Sequence, residues 1–289
     1  MKTEPVFDDA GKNRQRDDYS FANVNLLGKC NVRCFFCLGE DIPHLLCQHN
    51  QLNTHYNDWK NWQKFLGQCR QKGIKKIYIT GQNTDSLLYQ HLSELIDHLH
   101  IEGFEVGIRT NGYLLDKQEN IEIANACECS TGISIHSLDP VTNRMIMGRA
   151  DIPDWDYIIP KIKRPRISVV LNRCNEFEFF DLLKFFSRYA ASIRYVQVRR
   201  VSTDTRKKEL APDIAAYERV YTQVSRIFPR SRRFVTDAEE YQIYGLPVVF
   251  WRTVKTSVNS VNYFTDGTIS DNYFVVEGYL NNYLKEGSE

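Results

Sequence analysis

The pattern that most constrains this chain is a repeated alternation of short apolar runs with amphipathic segments of helical length. Phe21 to Leu27, Ile74 to Thr80, Phe104 to Thr110, Gly132 to His136, Ile167 to Leu171 and Ile193 to Val201 are β-branched or aromatic and bounded by Gly, Asn or charge. They are therefore expected to form buried strands. Between them, apolar residues recur at helical spacing. Trp59, Trp62, Phe65, Leu66 and Cys69 share one face, as do Leu87, Leu88, His91, Leu92, Leu95 and Leu99, and Phe177, Phe180, Leu183 and Phe186 repeat the pattern. Connections of helix length join parallel strands through right-handed crossovers. The expectation is an α/β fold with ligands at the carboxyl ends of its strands. Six β/α units are too few to close the usual eight-stranded barrel.

Directly after the first apolar run, Cys30, Cys34 and Cys37 form a C-x3-C-x2-C loop. A [4Fe–4S] cube that only carries electrons has a thiolate on every iron. The next cysteine, Cys47, lies outside the compact loop, so three close ligands leave one iron open. Two plainer readings compete. Cys34, Cys37, His44 and Cys47 form a C-x2-C-x6-H-x2-C arrangement that is chemically adequate for tetrahedral zinc, but it leaves Cys30 idle and predicts a small knuckle domain. A disulfide framework fits poorly, since eight cysteines in 289 residues are sparse and no segment of signal-peptide character precedes them.

Charge narrows the function classes. The formal net charge is +1, so no global field points to nucleic acid or to an acidic membrane. Arg164 to Arg166, Arg199 with Arg200, Arg206 to Lys208, and Arg230 to Arg233 are local basic clusters. Their simplest reading is solvated faces, with phosphate or acidic-peptide contact as the alternative. No apolar run approaches the roughly 18 residues needed to span a bilayer. The polar Met1 to Asp18 is expected to be a surface tail.

The run Cys30-Asn31-Val32-Arg33-Cys34-Phe35-Phe36-Cys37, with an aromatic before its last cysteine, resembles the defining motif of the radical S-adenosylmethionine (SAM) superfamily. The resemblance covers roughly Tyr19 to Phe228. It implies a partial (β/α)6 TIM-type barrel whose open side receives substrate, with Cys30, Cys34 and Cys37 as metal ligands and SAM as second cofactor. It also implies roles at the strand ends. Gly81, Gln82 and Asn83 stand where the family typically has a Gly-Gly-Glu stretch facing the methionyl amino group. Asn111 lies in a Thr-Asn-Gly stretch, Ser134, His136 and Arg149 stand where carboxylate contacts occur, and Asn172, with Asn175 second, stands where the ribose is met. Val198, or Val201, stands where backbone groups bracket adenine. Each has a structural alternative: strand-ending turns for the Gly and Asn residues, a satisfied buried histidine for His136.

The implied chemistry is reductive cleavage of SAM to methionine and a 5′-deoxyadenosyl radical, which abstracts hydrogen from a small metabolite, nucleotide or peptide. An electron donor such as flavodoxin or ferredoxin and a reducing, cytoplasmic setting follow. The alternative is a non-catalytic zinc or iron–sulfur binding module. Cys47, Cys69, Cys127, Cys129 and Cys174 are scattered and none follows Cys174, so one cluster is expected. Only 29 residues precede Cys30, which weakens a peptide-modifying role unless a separate recognition protein serves it.

Pro229 to Glu289 reads as a β-rich extension capping the barrel's open side. Val248 to Trp251, Val261 to Phe264 and Tyr273 to Val276 are its β-formers, and Thr265-Asp266-Gly267-Thr268 between the last two is a hairpin turn. Arg252, Lys255, Asn259, Asn262 and Asp266 are its candidate substrate contacts, against plain sheet packing.

Overall fold

The computed structural model describes residues 20–203, 205–234, 238–252 and 259–273, together with residues 6–7, 13–14 and 279. Its strands are β1 (Ser20–Leu27), β2 (Lys76–Gln82), β3 (Glu105–Thr110), β4 (Thr131–Ser134), β5 (Arg166–Leu171), β6 (Tyr195–Arg200), β7 (Arg230–Arg233), β8 (Glu239–Ile243), β9 (Leu246–Trp251), β10 (Asn259–Phe264) and β11 (Ile269–Ser270). The α-helices are α1 (Pro43–Gln48), α2 (Trp62–Gln71), α3 (Leu92–Ile101), α4 (Gln118–Asn125), α5 (Pro140–Met147), α6 (Trp155–Ile158), α7 (Phe179–Ser187) and α8 (Ala211–Ile227).

All eleven strands form one sheet in the order β11-β10-β1-β2-β3-β4-β5-β6-β9-β8-β7. The six expected strands pair in parallel and in sequence order. The C-terminal segment then splits between the two edges: β9 joins β6 in parallel and β10 joins β1 in parallel. Beyond them the pairing turns antiparallel, to β8 and β7 on one side and β11 on the other. Only residues 252–258 link the end of β9 to the start of β10. At about 3.6 Å per residue, those two edges lie within roughly 29 Å of each other.

Strand alternation explains why the sheet has a wet inside. Ala22, Val24, Ile77, Ile79, Val106, Ile108, Ile133, Ile167, Val169, Val196 and Val198 are fully buried in the main apolar core. The intervening residues, among them Asn23, Thr80, Arg109, Ser134, Arg166 and Gln197, face a cavity instead. Residues from β10 round to β9 line that one cavity, so the sheet is curled as a partial barrel with its apolar side against the helices.

Some boundaries differ from expectation. β2 continues through Gly81 and Gln82, while β4 stops at Ser134, short of His136. In α7 the buried face is Phe179, Leu182, Leu183 and Phe186, and Phe177, in the preceding turn, is 88% exposed. Leu87 and Leu88 form a 3-10 turn ahead of α3. β10 pairs with β11 across the Asp266-Gly267 turn. The expected partner of that hairpin, Tyr273 to Val276, lies outside the described residues beyond Tyr273. In the N-terminal tail, Val6–Phe7 pairs antiparallel with Asn13–Arg14.

Candidate active site

The cavity, about 320 Å³, is of a size that encloses small molecules. At the carboxyl ends of the strands its wall includes Cys30, Cys34 and Cys37. Their loop is held from several sides. Arg33 and Phe35 donate backbone N–H bonds to the carbonyls of Met147 and Ile146 at 2.8 and 3.2 Å, using two of the end carbonyls that a helix leaves without partners. Gly148 caps that helix at φ 74°, a conformation that favours glycine. Asn83 Nδ2 donates to the Gly28 carbonyl at 3.1 Å and Thr84 Oγ1 to that of Lys29 at 3.3 Å. Asn111 Nδ2 donates to Asn31 Oδ1 at 2.7 Å and approaches Cys30 Sγ at 3.6 Å.

Burial pushes the Cys30 thiol up to about 12, with Asp85 and Cys37 raising it further against backbone N–H bonds from Val32 and Asn31. Burial likewise raises Cys34, which feels both other sulfurs. It raises Cys37 against the N–H groups of Asn83 and Gly39. Three such thiols need a cation to become thiolates together, and N–H donors aimed at sulfur suit an iron–sulfur cluster. The three cysteines fit that group.

Other expected residues divide into two sets. Gly81, Gln82, Asn83, Asn111, Ser134 and His136 line the cavity with the cysteines. Gln82 Nε2 donates to Asn25 Oδ1 and to the Tyr273 carbonyl, while its buried Oε1 has no partner. His136 accepts Val170 N–H on Nδ1 at 3.1 Å, and burial lowers its pKa to about 3. The neutral ring therefore carries its proton on Nε2. Arg149, Asn172 and Val198 are not brought to the cavity wall. Arg149 pairs with Asp151 over the Tyr113 ring. Asn172 closes its own turn through Cys174 N–H, Asn175 and the Val170 carbonyl, and the side chain of Val198 packs in the outer core. Asn175 is buried and donates to the carbonyls of His136 and Val170; Val201 is also buried.

The extension contributes differently from expectation. Arg252 lies over Tyr221 near Glu218, Asn262 pairs with Asn23 at 2.8 Å, and Asp266 caps its own turn. Lys255 lies outside the described residues, as does the side chain of Asn259. Instead Trp251, Ser260 and Tyr273 reach the cavity. Tyr273 joins two distant strands, its carbonyl taking the Gln82 amide and its side chain bonding Arg199.

Two groups escaped the sequence reading. Asp85 is buried and accepts Leu87 N–H, Thr110 Oγ1–H and Asn111 N–H at 2.6–3.0 Å, tying the β2 loop to the end of β3, with burial raising its carboxyl. Arg109, Arg166, Arg199 and Arg200 line the cavity rather than a solvated face. Their signal was strand alternation: Arg166 with Ser168, and Gln197 with Arg199, are i and i+2. Of the remaining cysteines, Cys69 is fully buried in the core, and Cys127 and Cys129 are buried as well.

The model of the radical SAM superfamily matches residues 24–174. A GTP 3′,8-cyclase of Aquifex aeolicus is 25% identical over 188 residues, covering 62% of this chain and 57% of that protein. A GTP 3′,8-cyclase of Thermodesulfovibrio yellowstonii is 26% identical over 235 residues, covering 78% and 70%. The chain thus spans between 57% and 70% of the length of these two relatives. The crystal structure of Streptococcus suis SuiB bound to S-adenosylmethionine superposes with a TM-score of 0.61 at 16% identity, over 89% of this chain and 59% of that one, which shows the shared fold. The family's enzymes use a [4Fe–4S] cluster and SAM and need a reductant. With more than half of its length matched by the family model, this chain belongs to the radical SAM superfamily.

Proposed function

We propose that Cys30, Cys34 and Cys37 would hold a [4Fe–4S] cluster with one iron left without a protein thiolate, and that SAM would bind in the cavity these cysteines line. When bound, the pair supplies reductive cleavage of SAM to methionine and a 5′-deoxyadenosyl radical, which takes a hydrogen atom from a small metabolite, nucleotide or peptide. The observation that carries the reading is that the three half-buried cysteines and the polar strand-end residues open onto one cavity.

This chain's residues then bind, orient and exclude water. Gln82, with its unpartnered Oε1, serves as acceptor for the methionyl ammonium at the lip formed by Gly81 and Asn83. Ser134 and the Nε2–H of His136 serve as donors deeper in. Asn83 and Asn111 also act as positioning residues, because they grip the cysteine loop. Arg149 and Asn172 position through their own turns, and Val198 through the sheet ladder. Residues 19–228 are read as the barrel domain and 229–289 as the segment closing its open side, a role supported by Tyr273 linking Gln82 to Arg199. Water exclusion matters because a primary radical must meet only its intended C–H bond. A flavodoxin or ferredoxin in the cytoplasm suits the one-electron reduction of an oxygen-labile cluster. No helix among the described residues is long and apolar enough to cross a membrane.

The test is anaerobic reconstitution followed by assay of 5′-deoxyadenosine and methionine under dithionite. About four irons and four sulfides per chain are expected from one cube, lost with cysteine-to-alanine changes at residues 30, 34 or 37 and kept in Cys69→Ala and Cys174→Ala. Zinc in place of iron would turn the reading to the non-catalytic module.

A further inference from the structure

We propose that Gln197 and Ser168, side by side on the inner wall, form the contact edge for a nucleobase. The proposal rests on reading the cavity as the chamber of a radical SAM enzyme and goes on to name a ligand class and the residues that take it.

Gln197 on β6 is 3% exposed and lines the cavity, yet its buried Oε1 has no hydrogen-bond partner. A buried side-chain amide is costly to leave unpaired. Its neighbours along the row are neutral. Ser168 on β5 pairs with Gln197 in register, and Ser134 on β4 pairs with Ser168. All three line the cavity, so they make one row of polar side chains across three adjacent strands. At about 4.8 Å between strands, that row is roughly 10 Å long.

On the other side of Gln197, β9 places Val249 opposite it and Trp251 two residues further along. Trp251 lines the same cavity, and its buried Nε1–H likewise has no partner. One strand over and two residues along is roughly 8 Å between Cα atoms, a span that one ligand bridges between a glutamine and an indole.

These groups select what they hold. An unpartnered amide oxygen disfavours an anion and takes an N–H or O–H donor. Nε2 lies in the plane of that oxygen and donates, so the amide's full complement is a donor beside an acceptor. The edge of a nucleobase presents that pattern. The Ser168 hydroxyl gives or takes a hydrogen bond alongside, and an indole supplies a flat face on which bases stack. A sugar hydroxyl would engage the oxygen alone and leave the indole face idle. Two molecules bring such an edge to the chamber: a nucleobase-containing substrate, or SAM through its own adenine.

The test uses the full chain with its cluster reconstituted, titrated calorimetrically with adenosine, guanosine, cytidine and uridine under saturating SAM, and separately with SAM alone. Ribose is the base-free control. Saturable binding of at least one nucleoside but not of ribose, weakened about tenfold or more in Gln197→Met and less in Ser168→Ala, assigns the edge to the substrate. A loss of SAM affinity of about tenfold in Gln197→Met assigns it to the adenine of SAM. Lys117→Gln on the outer surface should change neither. Iron content should persist in Gln197→Met, and its ligand-free thermal midpoint should hold, since Oε1 has no protein partner to lose. The proposal is overturned if Gln197→Met binds SAM and every nucleoside as wild type does, if wild type binds no nucleoside and the variant keeps its SAM affinity, or if ribose binds as tightly as the nucleosides. Lost binding together with a lowered midpoint would make the amide structural and overturn it too. Failure of wild type to hold iron or cleave SAM would instead sink the enzyme reading, while Gln197-dependent nucleoside binding would survive it.

Discussion

The guanidinium of Arg206 donates to the carbonyl oxygen of Cys37 at 2.8 Å, and its other terminal nitrogen donates to the carbonyl of Phe35 at 2.7 Å. Its Nε meets the buried carboxylate of Asp41, which Thr203 also reaches. One side chain after β6 thus fixes the backbone on which the last cysteine sits, and a fork with fixed donor directions is suited to that.

Arg206→Met should therefore cost roughly 3 kcal/mol, the scale for removing one partner of a buried ion pair. Because Cys37 then loses its support, iron retained after gel filtration should fall by more than half even where the fold persists. Arg206→Lys keeps charge but not the fork and should fall between. Full iron retention in Arg206→Met would show that the loop is set by the α5 contacts alone.

Gly132→Ala probes the two arginines in register on either side of it, Arg109 and Arg166, without touching charge. The added methyl would press on Arg109 Cδ and Arg166 Nη2 at 2.7 Å, closer than packed carbons tolerate. A loss of about 1–3 kcal/mol is expected from such overpacking, read as a lower thermal midpoint. An unchanged midpoint would mean that both arginines move aside freely.

His136 sets a pH dependence. Burial holds its pKa at about 3 in the folded protein, against an ordinary value near 6.5. Below 6.5 the unfolded chain gains a proton that the folded one refuses, so the stability present above 6.5 is lost as pH falls toward 3, by up to about 1.4 kcal/mol per pH unit. Between pH 7 and pH 5, wild type should lose about 2 kcal/mol more than His136→Gln in chemical denaturation. Parallel losses would show that the ring is hydrated.

Arg149 and Gly81 separate the motif from its geometry. Arg149→Ala should lower SAM affinity only mildly, by about fivefold or less, since its guanidinium pairs with Asp151 and touches the cysteine loop only through the Asn31 carbonyl at 3.4 Å. At Gly81 a Cβ would lie 2.3 Å from the Thr84 carbonyl oxygen. Gly81→Ala should therefore lower the thermal midpoint as well as SAM affinity, through the β2 turn. Loss of affinity with an unchanged midpoint would point to direct blocking of the ligand instead.

Much of the fold was legible in the sequence because the outer face of each strand is a near-continuous set of Ile, Val and Leu that helices must cover. The inner face was harder to read. Arg166 and Arg199 sit in basic clusters that look like solvated surface, and only the knowledge that the barrel encloses a cavity turns strand alternation into a statement about charge. The asparagines show a related limit. Asn83, Asn111 and Asn172 all follow strands, yet the first two grip the cysteine loop and the third closes its own turn. Residue type and position do not separate those cases, since side-chain amides satisfy backbone groups wherever the chain turns. The parallel partners of β9 and β10 and the bond from Arg206 to Cys37, 169 residues apart, are tertiary choices with no local signature.

The central claim is that three cysteines hold a cluster with one iron open to SAM. Electron paramagnetic resonance of the anaerobically reconstituted, dithionite-reduced protein, recorded before and after adding SAM, tests it most directly. The account predicts a single reduced [4Fe–4S] signal that changes when SAM is added, and no such signal in Cys34→Ala. A signal that SAM leaves unaltered would contradict the open iron, and a zinc-loaded protein with no signal would contradict the cluster itself.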